Sequence, residues 1–390
     1  MIPYGKQHIT DSDKKAVMAV LESDFLTQGK QVPSFESAIC DFCRSQHAVA
    51  VNSATSALHI ACLALGVQKD DWVWTSPISF VASANCALYC GANIDFVDID
   101  EGNMSIDALK EKLKKAKRKK CLPKVIIPVH LAGHCCDMAA LAELAKEYHF
   151  SIIEDASHAI GGKYKHQFIG SCQYSDICVF SFHPVKIITS GEGGVATTND
   201  EQLSLRMKQF RSHGLIKEFA SINEVDIEFI NNDEGDWYNE QQSLGFNYRM
   251  TELQGALGLS QLNQLEGFVT KRNYLATKYQ EKLADLPLSI FMPEAGEINI
   301  LSSWHLLIVK FDNKINRKTV FDKMRAADIQ VHVHYYPIHL QPYYARLGFS
   351  SGDFPNAEDY YQHCLSLPLY PDLTPIQQDY IISTLRECLI

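Results

Sequence analysis

Ser151-Ile152-Ile153-Glu154-Asp155-Ala156-Ser157-His158 and Ile177-Cys178-Val179-Phe180-Ser181-Phe182-His183-Pro184-Val185-Lys186 decide the fold. Each is an apolar run without polar alternation that ends in groups able to do chemistry. A strand of that kind is covered on both faces, as in parallel sheets flanked by helices. The same pattern recurs, predicting strands over 48–51, 72–75, 94–97, 125–129, 151–154, 177–181 and 194–197. Helical periods over 56–65, 81–89, 106–117 and 138–148 separate the first five. The expectation is an α/β fold with a mostly parallel central sheet covered by helices. Ligands of such sheets bind outside the carboxyl ends of the strands. Thr55, Phe80, Asp155 and Ser181 all fall at or just past such ends.

The alternation runs to about residue 200. A helix is expected from 251 to 262, continuing toward 279, and after it the character changes. Strands over 304–309 and 329–334 and helices over 317–326 and 375–388 then make an α+β pattern. We therefore divide the chain into a large domain, 1–262, and a small C-terminal domain, 263–390. The polar, acidic stretch 219–243 is long for a loop and reads as a flap over a ligand.

The 390 residues are 46% hydrophobic, enough for a large core. A net charge of -10 argues against a nucleic-acid partner, which needs a positive field. The basic run from Lys110 to Lys120 reads as a solvated helix C-terminus, where cations suit the helix dipole. No apolar stretch nears the ~20 residues that cross a bilayer. Met1-Ile2-Pro3-Tyr4-Gly5-Lys6 shows no signal-peptide core, so a cytoplasmic protein without membrane attachment is expected. Twelve scattered cysteines then read as reduced thiols. Cys40 and Cys43 share one face of an expected helix as small apolar fillers, and no metal site is expected.

Lys186 has apolar and small neighbours, which points to a partly buried amine of lowered pKa. Upstream, Asp155 offers a carboxylate. An amine for an aldehyde and an anion for a ring nitrogen are what pyridoxal 5'-phosphate needs from a protein. Asp155 alone would also serve as a helix N-cap. Asn52-Ser53-Ala54-Thr55-Ser56 is a strand end running into a hydroxyl-rich helix start, suited to a phosphate or simply to a cap. Ser181 is a further phosphate donor. Phe80 would stack on a ring or join the core, and His158 would touch the ring or be structural. The fingerprints of nicotinamide and ATP sites are absent.

Four segments together carry a resemblance: Ser53-Ala54-Thr55-Ser56-Ala57-Leu58-His59, Glu154-Asp155-Ala156-Ser157-His158, Ser181-Phe182-His183-Pro184-Val185-Lys186 with Gly191-Glu192-Gly193-Gly194, and Gly245-Phe246-Asn247-Tyr248-Arg249-Met250. In this order they resemble the DegT/StrS family of sugar-nucleotide aminotransferases. The resemblance implies the fold type I architecture of pyridoxal-phosphate aminotransferases and a homodimer with shared active sites. Further stretches, Leu26-Thr27-Gln28-Gly29-Lys30, Thr75-Ser76-Pro77-Ile78-Ser79-Phe80 and Trp237-Tyr238-Asn239-Glu240-Gln241-Gln242, resemble the subgroup acting in pseudaminic acid biosynthesis. Its reaction moves an amino group from L-glutamate to C4 of a UDP-linked 4-keto-6-deoxy-N-acetylhexosamine.

Under that resemblance Lys186 and Asp155 are the catalytic pair. Thr55, Ser56 and Ser181 would bind the cofactor phosphate, with Asn247 reaching in from a second subunit. Phe80 and His158 would contact the ring, and Thr27, His183, Arg249, Tyr335 and His339 the substrates. Three other readings stay open: a transaminase for another keto nucleotide sugar, a sugar dehydratase, or a non-catalytic cofactor-binding regulator. Relatives of the dehydratase kind carry His where Lys186 stands here.

Overall fold

The computed structural model describes residues 1–216, 237–292 and 300–389. Seven strands form the central sheet: β1 (His47–Val51), β2 (Trp72–Thr75), β3 (Asn93–Phe96), β4 (Val125–Ile127), β5 (Ser151–Asp155), β6 (Ile177–Ser181) and β7 (Gly194–Thr198). Their spatial order is β1, β7, β6, β5, β4, β2, β3. Only β7 runs antiparallel to its neighbours. This is the mostly parallel, helix-covered sheet of fold type I. Ile153 and Val179 pack on one face, Ile152, Cys178 and Phe180 on the other. Burial on both faces is why these runs lack polar alternation.

The helices that matter for the cleft are α1 (Asp11–Leu21), α2 (Gln31–Cys43), α3 (Ala54–Ala64), α4 (Ala82–Tyr89), α5 (Glu252–Leu262) and α6 (Leu265–Leu283). Cys40 and Cys43 lie on α2 as half-buried and buried free thiols. The single helix expected from 251 onward is two, α5 and α6, parted at Asn263 and Gln264. There the Gln264 side chain turns to donate to Thr10 Oγ1 and Asp13 Oδ1, both at 3.3 Å.

A second unit holds strands β8 (Leu288–Ile290), β9 (Leu307–Phe311) and β10 (Cys364–Leu367), antiparallel throughout. Its core gathers Tyr279, Leu307, Val309, Met324 and Ile381 around the sheet, and Ile2 joins them. The Ile2 N–H donates to the Asp328 carbonyl, and the Gln330 N–H donates back to Ile2, each at 2.8 Å.

Several expected elements come out differently. The strand expected over 125–129 pairs regularly only to Ile127, because Pro128 has no N–H to give. The strand expected over 304–309 begins at Leu307, since Trp304 has φ +48°. The segment 329–334 is not a strand. It makes isolated bridges to Ile2 and Ser366, and its side chains are spent elsewhere: His332 and His334 stack at 4.6 Å, with the Tyr4 ring 5.5 Å from each. Of the expected flap over 219–243, residues up to 236 lie outside the described residues. Beyond them, Glu240–Gln241 pairs with Leu215–Ile216.

Two close contacts set the frame of the cleft. A Cβ on Gly194 would sit 2.5 Å from the Ala54 nitrogen, so only glycine lets the start of α3 lie against β7. On the other side, Asp13 is buried and accepts from Ser260 Oγ at 2.6 Å, Gln261 Nε2 at 2.8 Å and the Thr10 N–H at 2.8 Å. Burial alone would raise its pKa, but these donors hold it below the usual carboxylate range. They bind α1 to α5.

Gly194→Ala should destabilise the protein by about 1–3 kcal/mol through overpacking, read from the urea midpoint. Asp13→Ala removes the acceptor shared by the Thr10 N–H and hydroxyl, Ser260, Gln261 and Gln264, and should cost about 2–3 kcal/mol in the same measurement. Because Asp13 titrates lower in the folded chain, its contribution holds above the ordinary carboxylate pKa. It is lost as pH falls through the depressed folded value, so the variant's deficit should shrink in acid.

Candidate active site

Asp155 closes β5, the middle strand of the sheet, and is buried at the floor of a cleft of about 930 Å³. Its Oδ2 accepts from Ser83 Oγ at 2.5 Å and its Oδ1 from the Ser157 N–H at 3.2 Å. Ser83 lies in the first turn of α4, where the helix dipole favours an anion. No helix starts after Asp155, so the carboxylate serves a turn and the cleft, not a helix cap.

Lys186 faces the same cleft from the turn after β6. The Thr189 hydroxyl and the Ser190 N–H both bond the Phe182 carbonyl, at 2.9 and 3.0 Å, and the Lys186 N–H donates to His183 at 2.9 Å. The Lys186 amine itself has no hydrogen-bond partner among the described residues. Burial brings its pKa down to about 8, against the pull of the Asp155 charge. Near neutral pH a useful share of it is therefore an unprotonated nucleophile.

The N-terminus of α3 opens into the cleft. Ser53 caps it, accepting the Ser56 N–H at 3.1 Å. The N–H groups of Ala54 and Thr55 are left without intrahelical acceptors, as at any helix start. Thr55 and Ser181 line the cleft with hydroxyls that have no partner among the described residues. Ser56 differs, because its buried hydroxyl donates to Asn52 Oδ1 at 2.7 Å. Free N–H groups, free hydroxyls and a positive dipole end make an anion site. This donor set fits pyridoxal 5'-phosphate: an unpartnered amine, a fixed carboxylate and a phosphate cradle line one cavity.

One wall is aromatic and imidazole. Phe80 is 61% exposed at the rim, its ring free to stack. His158 is buried, its Nδ1 accepting the Ala132 N–H at 3.3 Å and its Nε2 lying 3.1 Å from the Tyr335 hydroxyl. Burial and the nearby Lys186 hold His158 well below its usual pKa. The neutral ring therefore carries its proton on Nε2 and donates it to Tyr335, which frees the phenolic hydrogen for another acceptor. Burial likewise lowers His305 and His334, which also line the cleft. At the mouth, His183 Nε2 stands 4.0 Å from Glu192.

Other expected residues lie elsewhere. His339 is fully buried away from the cleft, bonded to Glu358 at 3.0 Å and packed on Phe354. Thr27 and Asn247 are exposed, and Arg249 is half-buried, its backbone bridged to Val51 and its guanidinium without a polar partner among the described residues. Sequence reasoning missed Tyr4 and His305, and read Asn52 and Ser53 only as part of the phosphate stretch; all four line the cleft. Asn52 and Ser53 carry a readable signal, a polar pair between a strand end and a helix start. Tyr4 and His305 have none, because they arrive from distant parts of the chain. Among the described residues, no cluster of three or more His, Cys, Asp or Glu side chains is arranged to hold a metal. No described helix is long and apolar enough to cross a membrane.

Comparison with known proteins agrees with this geometry. The spore coat polysaccharide biosynthesis protein SpsC of Bacillus subtilis is 35% identical, over 99% of this chain and 96% of that protein. The UDP-4-amino-4,6-dideoxy-N-acetyl-beta-L-altrosamine transaminase of Campylobacter jejuni is 34% identical over 100% and 98%. The structure of Helicobacter pylori PseC, an aminotransferase involved in pseudaminic acid biosynthesis, superposes with a TM-score of 0.88 at 33% identity, covering 100% of this chain and 99% of that one. Residues 7–386 match one family throughout, so the chain belongs to the DegT/DnrJ/EryC1/StrS aminotransferase family.

Proposed function

We propose that this aminotransferase is pyridoxal-phosphate-dependent and moves the amino group of L-glutamate to C4 of a UDP-linked 4-keto-6-deoxy-N-acetylhexosamine, a step of pseudaminic acid biosynthesis. The observation that carries the chemistry is the meeting of the unpartnered Lys186 amine and the fixed Asp155 carboxylate in one cleft. The similarity to the Campylobacter jejuni and Helicobacter pylori proteins supports the choice of sugar.

When bound, the cofactor would supply an aldehyde carbon able to carry the amino group between substrates and an electron-poor ring able to spread negative charge. The remaining work falls to side chains. Lys186 would hold the aldehyde carbon and then, displaced by the donor amine, lift and return the proton at Nζ. Asp155, its geometry set by Ser83 and Ser157, would keep the ring nitrogen protonated. Ala54, Thr55 and Ser181 would grip the phosphate, with Ser56 bracing the helix start. Tyr335, oriented by His158, would offer its hydroxyl proton to the sugar. The protein would act as a homodimer in which Asn247 and Arg249 of a second copy complete each cleft, with Thr27 contacting the substrate. The expected site of action is the cytoplasm.

Two substrates taking turns in one cleft predict ping-pong kinetics. Titrating the yellow holoenzyme with the UDP-4-amino sugar should bleach its visible band, while the D-series C4 epimer leaves it intact. If glutamate alone bleaches it, the aminotransferase stands and the sugar is a different one. Lys186→Ala should lose turnover altogether. In the protein freed of cofactor, uptake of pyridoxal phosphate should rise with pH about a midpoint near 8, where Lys186 gives up its proton.

A further inference from the structure

Arg272 stands in the middle of α6, apart from the cleft lining, and the proposed transamination does not use it. It is only 1% exposed. Burial brings the guanidinium down to about 10, so it stays a cation at neutral pH. An unpaired buried charge is costly, and no carboxylate meets this one among the described residues. Backbone carbonyls satisfy it instead. Arg272 Nη1 donates to Trp304 at 3.2 Å, to His305 at 3.1 Å and to Leu369 at 2.9 Å. Nη1 carries two hydrogens for these three acceptors, so one hydrogen is shared.

The acceptors lie on two segments that build the cleft wall. Trp304 and His305 lead into β9, and Leu369 follows β10. The His305 ring lines the cleft, 4.3 Å from that of His158. The Leu369 N–H donates at 3.1 Å to the carbonyl of Tyr4, which lines the cleft too. One guanidinium thus gathers two cleft residues that are far apart in the chain. Trp304 has φ +48°, a conformation rare for an aromatic residue and kept only where the surroundings hold it. Arg272 grips the two carbonyls that follow that bend. Other side chains of α6 tie down the same segments. Asn273 donates to the Ser302 carbonyl and Tyr279 to the Pro368 carbonyl, each at 3.0 Å. Those two bonds remain when Arg272 is replaced.

We infer that Arg272 is a positioning residue: by gathering the Trp304, His305 and Leu369 carbonyls it holds His305 and Tyr4 together in the wall that receives the substrate. What the wall receives rests on the transaminase reading, and the gathering itself does not. Burial does most to keep the His305 ring neutral, and the Arg272 charge adds to it.

The test compares the Arg272→Met and Arg272→Lys holoenzymes. In Arg272→Met, hydrogen exchange read by mass spectrometry should quicken by roughly ten-fold or more in the peptides that carry Leu306 and Leu369, with β5 and β6 unchanged. KM for the UDP sugar should rise by roughly ten-fold or more, with a smaller change in kcat. A residue that only stabilises the fold would lower the urea midpoint and leave KM alone. Arg272→Lys, with three N–H donors for three carbonyls, should recover most of KM. Tyr4→Ala should raise KM by itself and add little in Arg272→Met, since both remove the same placement. If Arg272→Met does not fold, Arg272→Gln takes its place, with a rise of roughly three-fold expected. Unchanged KM in a folded neutral variant overturns the inference. So does quickened exchange in only one of the two peptides, or a fully multiplicative double variant. The exchange map needs no substrate. A holoenzyme inert to the UDP sugar, with both peptides loosened in the variant, therefore sinks the choice of sugar and leaves this inference standing.

Discussion

The structure is organised around a carboxylate that must be held in place at the bottom of a cleft. Asp155 meets that demand because a hydroxyl, a backbone N–H and a helix start all face it. The demand spreads outward. The Ser83 hydroxyl fixes the start of α4 over the end of β5. The Asp155 charge tempers the burial of Lys186, so that the amine loses its proton within reach of neutral pH without being stripped of it altogether. A neutral residue at 155 would leave α4 aimed at nothing and let the Lys186 pKa fall further.

The neighbouring walls carry the opposite character. His158, His305 and His334 are all held neutral by burial, and burial also raises Tyr335, which keeps its phenolic proton. Such a wall offers directed hydrogen bonds and little fixed charge. That suits a cleft that must receive an amino donor and a nucleotide sugar in turn.

Much of this was legible in the sequence where function and local structure coincide. The strands ending at Asp155 and Ser181 were readable because two-sided burial writes an uninterrupted apolar run. Thr55 and Lys186 followed because a helix start and an apolar-flanked amine each have a local signature. The failures have the opposite cause. The segment 329–334 has the composition of a strand, yet its side chains are committed to Tyr4, Ser366 and the cleft. His339 looks like its neighbours in sequence, but a turn of 3-10 helix carries it inward to Glu358. The parting of α5 from α6 depends on Gln264 meeting Thr10 and Asp13, far away along the chain. Contacts of that range leave no periodic trace.

The pairing of Ile2 with Asp328 and Gln330 bears on how the chain is made. Ile2 leaves the ribosome over three hundred positions ahead of its partners. At about 5–20 residues per second, the wait is on the order of tens of seconds. During it the central sheet can form, since its strands end at Thr198, while the leading segment hangs unpaired. Docking of that segment is thus a late event in biogenesis. It draws Tyr4 to the cleft wall only after the second unit exists, so the pocket is finished late, by a segment made well before that unit.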